Sequence, residues 1–176
     1  MENHSPRLGY RGRSVAHRTP TVTQRQLMFS EAEFETAARG IRPGPDLEWF
    51  ALDKRGNVGA FCNAGFATVP SSVFLSFDLY VRTLDAIASL PKTGDAVWYR
   101  SQPPIHDTWD VWSQRGLFGF DWNHCVGLPD PTLPYRLLTR PTVPITLASL
   151  PNDVADYVSS NRLPFADFNT SMEILI

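Results

Sequence analysis

Leu47-Glu48-Trp49-Phe50-Ala51-Leu52-Asp53, Lys54-Arg55-Gly56-Asn57 and Val58-Gly59-Ala60-Phe61-Cys62 follow one another without a break, and their reading decides the fold. The two outer runs are rich in residues that favour extended backbone. The four residues between them are turn formers, with Gly56 free to adopt positive φ. The stretch therefore predicts a β-hairpin. Gly59, and Gly65 beyond it, mark a bulge or a close approach of another piece of backbone.

Upstream of the hairpin, Ser30-Glu31-Ala32-Glu33 has the spacing of a capping box. It opens a short helix through Phe34, Ala37 and Ala38 that ends near Gly40, and Pro43-Gly44-Pro45 is a firm stop. Residues 1–28 read as a disordered basic tail. Residues 1–29 carry five Arg and one Glu, net +4, whereas the rest carries 11 basic and 17 acidic side chains, net −6. The tail is Arg-rich like an organellar transit peptide, but Pro6, Gly9, Gly12 and Pro20 interrupt the amphipathic helix that such a peptide needs.

Downstream, Pro70-Ser71-Ser72 starts the strongest helical pattern. Val73, Phe74, Phe77, Val81, Leu84, Ile87 and Ala88 fall near a 3.6-residue period, with Asp78, Arg82 and Asp85 opposite. Val97-Trp98-Tyr99 predicts a strand, Thr108 to Gln114 a short helix or turn, and Gly116 to Trp122 another strand. Tyr135 to Leu138 and Ile145 to Leu147 are further strands, with Pro141 and Pro144 suited to an edge or an irregular joint. Leu150-Pro151-Asn152 opens a second helix through Val154, Tyr157 and Val158, and Leu163-Pro164-Phe165 closes the chain as a short strand. The order lacks regular βαβ alternation. It predicts one α+β domain over residues 29–176: a mostly antiparallel sheet with a long amphipathic helix packed on it.

Composition narrows the chemistry. An acidic body disfavours a broad phosphate-binding face and suits a basic protein surface, so a nucleic-acid partner is not expected. Two Cys make no disulfide framework, and no apolar run approaches the roughly 20 residues of a membrane span. Neither a signal peptide nor a membrane partner is expected, and the expected location is the cytoplasm. Arg outnumbers Lys 14 to 2, as expected of a GC-rich bacterial genome.

No catalytic or cofactor motif stands out. Nucleotide-binding glycine loops and the nucleophile elbow are missing. Cys62, Cys125, His124 and Asp121 lack the spacing of a zinc site, so neither metal nor cofactor is expected. Cys125 with His106 or His124 has no protease signature. His106, Asp107, Asp121 and His124 are the candidates for a hydrolytic acid–base site. Asp107 and Asp110 serve equally well as caps after Pro104. Trp109 and Trp112 lie three apart in a polar context. Together with Asp107 and Asp110 they are the candidate protein-binding surface if exposed, and the end of a core if not.

Trp49-Phe50-Ala51-Leu52-Asp53 with Gly56-Asn57-Val58 resembles a hairpin of uncharacterised small bacterial α+β proteins. Gly116 to Trp122, Pro134-Tyr135-Arg136 and Leu150-Pro151 resemble the later part of the same proteins. The Gly-Asn turn between two strands also resembles the SUKH superfamily of toxin-immunity proteins, in which the helices and a Trp-Gly element come before the hairpin rather than after it. The resemblance implies no catalytic residue. With the acidic body and the abundant aromatics, it leads to the expectation of an immunity or antitoxin protein that binds a cognate toxin, with a hydrolase as the alternative.

Overall fold

The computed structural model describes residues 30–99, 108–122 and 130–176. The expected disordered tail over 1–28 lies outside them. The elements in chain order are α1 (Glu31–Ala38), β1 (Glu48–Leu52), β2 (Val58–Cys62), α2 (Phe77–Ser89), β3 (Ala96–Trp98), α3 (Thr108–Gln114), β4 (Phe118–Asp121), β5 (Tyr135–Pro141), α4 (Asn152–Ser160) and β6 (Glu173–Ile174). The α+β class expected from the sequence is the class observed. The sheet runs β1-β2-β4-β5-β3, with β6 also on β5. It is mixed: β2 and β4 are parallel, and every other pair is antiparallel.

The capping box of α1 is complete. Glu33 N–H donates to Ser30 Oγ at 3.3 Å, and Ser30 N–H donates to Glu33 Oε2 at 2.7 Å. The long helical pattern splits in two. Ser71–Leu75 is a 3-10 turn, Ser76 is extended, and α2 starts at Phe77 with Ser76 Oγ accepting from Leu79 N–H. Serine at an N-cap competes with the helix for that N–H, which starts α2 afresh.

Strand alternation sorts the core. Trp49, Ala51, Phe61, Phe118, Phe120, Tyr135 and Leu137 form one cluster with Leu163, Ala166, Phe168 and Ile174 of the C-terminal segment. Phe50, Leu52, Val58, Ala60, Leu117 and Leu138 form the other, under Ile87 of α2, Trp109 and Trp112 of α3, and Val154 and Val158 of α4. A bulge adjusts β5: Gly119 pairs with Thr139 but Phe120 with Leu137, so Leu138 is the extra residue. It lets both Leu138 and Thr139 face the helices, with Thr139 Oγ1 donating to Trp109 O at 3.4 Å.

The hairpin turn is locked by buried Asp53, which is fully inaccessible. Its Oδ1 accepts from Arg55 N–H and Asn57 N–H, each at 2.8 Å. Its Oδ2 accepts from the Asn57 side-chain amide and from Phe168 N–H, each at 2.9 Å. Gly56 takes φ +85 in this turn. Gly59 is the close approach that the sequence suggested: a Cβ there would lie 2.8 Å from the Phe168 ring.

Two expected strands turn out differently. Ile145 to Leu147 forms only an isolated bridge between Thr146 and Asn57, then a 3-10 turn at Leu147–Ser149. Leu163 to Phe165 is not a strand; Arg162 bridges Leu52 instead. The sheet is completed by β6, which the sequence did not suggest. Pro141 ends β5, an interior strand, at a position where a missing N–H is tolerated.

Candidate functional site

The strand register lays a polar row across one end of the sheet. Glu48 of β1 pairs with Cys62 of β2, Cys62 with Asp121 of β4, Asp121 with Arg136 of β5, and Arg136 with Glu173 of β6. Alternation puts this row on the helix-bearing face. Phe50 and Ala60, two residues inward on the same face, are roofed by the helices, whereas Glu48, Cys62 and Asp121 are only partly covered. Cys62 and Asp121 stand at the carboxyl ends of the two parallel strands.

Asp46 joins the row from the loop before β1. The Cys62 thiol donates to its Oδ1 at 2.9 Å. Burial pushes the Cys62 thiol far above the ordinary thiol range, and the negative charges of Asp46 and Asp121 add to the rise. Cys62 is therefore a protonated hydrogen-bond donor and not a thiolate nucleophile. Burial likewise holds the Tyr80 hydroxyl well above its ordinary value, with Glu48 contributing. At the far end Arg136 Nε and Glu173 Oε1 pair at 3.1 Å in the open. The row thus sets the carboxylates of Asp46, Glu48 and Asp121 near a neutral thiol, with Arg136 next to Asp121 and paired with Glu173 at the far end. Among the described residues no group of His, Cys, Asp and Glu is arranged to hold a metal ion.

Of the residues singled out in the sequence, His106, Asp107, His124 and Cys125 lie outside the described residues. Asp121 belongs to the row. The aromatic surface requires correction: Trp109 is 8% exposed and Trp112 3%. Their rings meet edge to face at 4.9 Å, and Trp112 meets Phe50 at 6.2 Å. Gly119 leaves room for Trp109, since a Cβ there would lie 3.2 Å from its ring. Helical spacing put both indoles on one face, and that face is turned to the sheet because burying two indoles removes a large apolar area from water. Asp110 accepts the indole N–H of Trp98, which ties α3 to β3.

Asp46, Glu48, Arg136 and Glu173 escaped the sequence reading. Outward alternation in the strands was visible for Glu48 and Arg136, but only the register brings them into line. The second buried acid, Asp167, is structural: Arg55 Nε reaches its Oδ2 at 2.8 Å and Lys54 Nζ at 3.5 Å. Burial alone would raise its pKa; the Arg55 hydrogen bond, Asn169 N–H and the two cations outweigh that and hold it below the ordinary carboxylate value. No known family model, curated protein or solved structure matches this chain.

Proposed function

We propose that this protein is a binding module that takes a basic protein surface onto the acidic end of its sheet. The finer form of the proposal is an immunity or antitoxin protein of the bacterial cytoplasm, which covers the active surface of a cognate toxin. The observation that carries it is the grouping of Asp46, Glu48 and Asp121 round a thiol that is held protonated. Such a surface supplies charge for recognition. Enzymes that cleave nucleic acid present cationic surfaces to phosphate, and carboxylates at a sheet end are complementary to them.

A pull-down of the tagged protein from its host, read by mass spectrometry, should recover a stoichiometric basic partner. Asp46→Lys and Glu48→Lys should each weaken that complex by about tenfold or more, with the loss falling mainly on the association rate and shrinking at high salt. Affinity unchanged by both reversals, or no stoichiometric partner at all, would sink the reading.

A second reading draws on the position of Asp121 at the carboxyl end of the parallel pair, where sheets of this kind collect reactive side chains. It is a hydrolase that uses Asp121 with His106, Asp107 and His124. Hydrolysis of a phosphoester or amide substrate panel that Asp121→Asn abolishes would favour it over the binding module.

A further inference from the structure

Asn63, just after β2, is 5% exposed and leaves one of its hydrogen-bonding groups without a partner. Its Oδ1 accepts from Leu47 N–H at 2.6 Å and from Gly65 N–H at 3.1 Å. Its main chain is committed as well: Asn63 N–H donates to Leu47 O, and Asn63 O accepts from Phe66 and Ala67 N–H. The two bonds to Oδ1 settle which arm of the side-chain amide is the oxygen. The other arm, Nδ2, has no acceptor among the described residues. A buried N–H without an acceptor is costly, so an unmet one marks a place where something else supplies the acceptor.

Asn63 lines a cavity of about 130 Å³ between the end of α1, the loop before β1 and the loop after β2. Such a volume holds about four waters at roughly 30 Å³ each. Two glycines let the loops meet without side chains that would fill it. Gly44 N–H donates to Gly65 O at 2.8 Å, and a Cβ on Gly65 would lie 2.5 Å from Gly44 O. Leu47, Ala67, Val69 and Phe74 make an apolar wall. The polar side chains of the lining, Asn63, Ser71 and Arg42, can all donate. Arg42 and Ser71 are exposed at the rim, and Arg42 makes no hydrogen bond or ion pair among the described residues.

The local charge favours an anion. No acid is among the described residues that line the cavity. Asp46 stands between Pro45 and Leu47 in the chain, but it does not line the cavity, and its carboxylate accepts from the Cys62 thiol. The C-terminal end of α1 sets about half a negative charge nearby, less than the full positive charge of Arg42.

We propose that this cavity binds a short aliphatic carboxylate, with its oxygens on Asn63 Nδ2 and Arg42 and its hydrocarbon against Leu47, Val69 and Phe74. A charged oxygen makes a stronger bond to each donor than water does. A compact phosphate or sulfate would leave the apolar wall without a partner, and an amide or alcohol would leave the charge of Arg42 unused. The site shares no side chain with the acidic row and stands whether or not that row binds a protein.

The test is a titration of the full isotope-labelled chain with butyrate, followed by NMR. The expected result is saturable binding in the millimolar range, as suits so small a ligand. It should move the Asn63 side-chain amide pair together with the backbone amides of Gly44 and Gly65. Butyramide, which has the same shape without the charge, should bind about tenfold more weakly or worse. Arg42→Ala should weaken butyrate about tenfold, and because Arg42 is exposed the melting of this variant should match the parent. Asn63→Asp keeps the oxygen that Leu47 and Gly65 N–H need and turns the free donor into an acceptor, so it should abolish binding. If that variant does not fold, Arg42→Ala decides the matter. The proposal is overturned by the lack of any saturable shift, by shifts that map elsewhere, by equal binding of butyramide and butyrate, or by butyrate binding that Arg42→Ala leaves unaltered.

Discussion

The two faces of the sheet are closed in different ways. One lies under α2, α3 and α4, which bring Ile87, Trp109, Trp112, Val154 and Val158 from separate turns of regular helix. The other draws on the irregular segment after α4, with Phe168 set on the strand rings, alongside Phe34, Tyr80 and Tyr157 from the helices. Phe168 meets Phe61, Phe118 and Phe120 at 5.9, 5.8 and 5.1 Å, and its own N–H is held by Asp53. A helix satisfies its backbone internally and can afford many small contacts. An irregular segment must find a partner for each buried N–H and C=O, so its docking concentrates on a few points. Asn161 donates to Phe50 O at 3.0 Å, Leu163 N–H to Leu52 O at 2.7 Å, and Lys54 N–H to Ala166 O at 3.0 Å.

The comparison can be broken at those points. Asp53→Ala removes the buried acceptor of four hydrogen bonds and should cost about 4 kcal/mol in denaturant unfolding. Hydrogen exchange should show residues 163–176 released ahead of α2 and α4; simultaneous loss on both faces would contradict the contrast. Phe168→Ala opens a cavity among three aromatic rings and should cost about 3 to 4 kcal/mol, with the same order of release. Gly59→Ala pushes a methyl into that ring and should cost about 2 kcal/mol, and a crystal structure of the variant should show Phe168 displaced. On the helical face Ile87→Val should cost only about 1 kcal/mol, because it removes a single methylene.

The smallest effect is a pH dependence. Asp167 titrates below its ordinary value of 3.8 in the folded chain, so its contribution is full above that pH and is lost as pH falls through the lower folded value. Asp167→Asn should remove that acid-limb slope from the stability profile. An unchanged slope would mean that the Arg55 and Lys54 contacts do not persist in solution.

The hairpin was legible because each of its parts is local: strand formers on both sides and a Gly where φ must be positive. The capping box at Ser30 was legible for the same reason, being a pattern over three residues; on α2 the period found Ile87 but missed the buried Tyr80 and Thr83. The row that forms the candidate site was not. Glu48, Cys62, Asp121, Arg136 and Glu173 are neighbours only through strand pairing between segments far apart in sequence. Trp109 and Trp112 show the same limit from the other side: spacing fixed their shared face, but not which way it points.

By itself, then, the sequence determined the α+β class, the hairpin and the helices, because short-range backbone preference and hydrophobic period are written in adjacent residues. Tertiary structure alone decided the parallel pairing of β2 with β4, the bulge at Leu138, and the docking on one face of a segment with no regular hydrogen-bonding pattern. Those depend on register and packing among distant residues, where the free-energy differences belong to the assembled core and to no single stretch of chain.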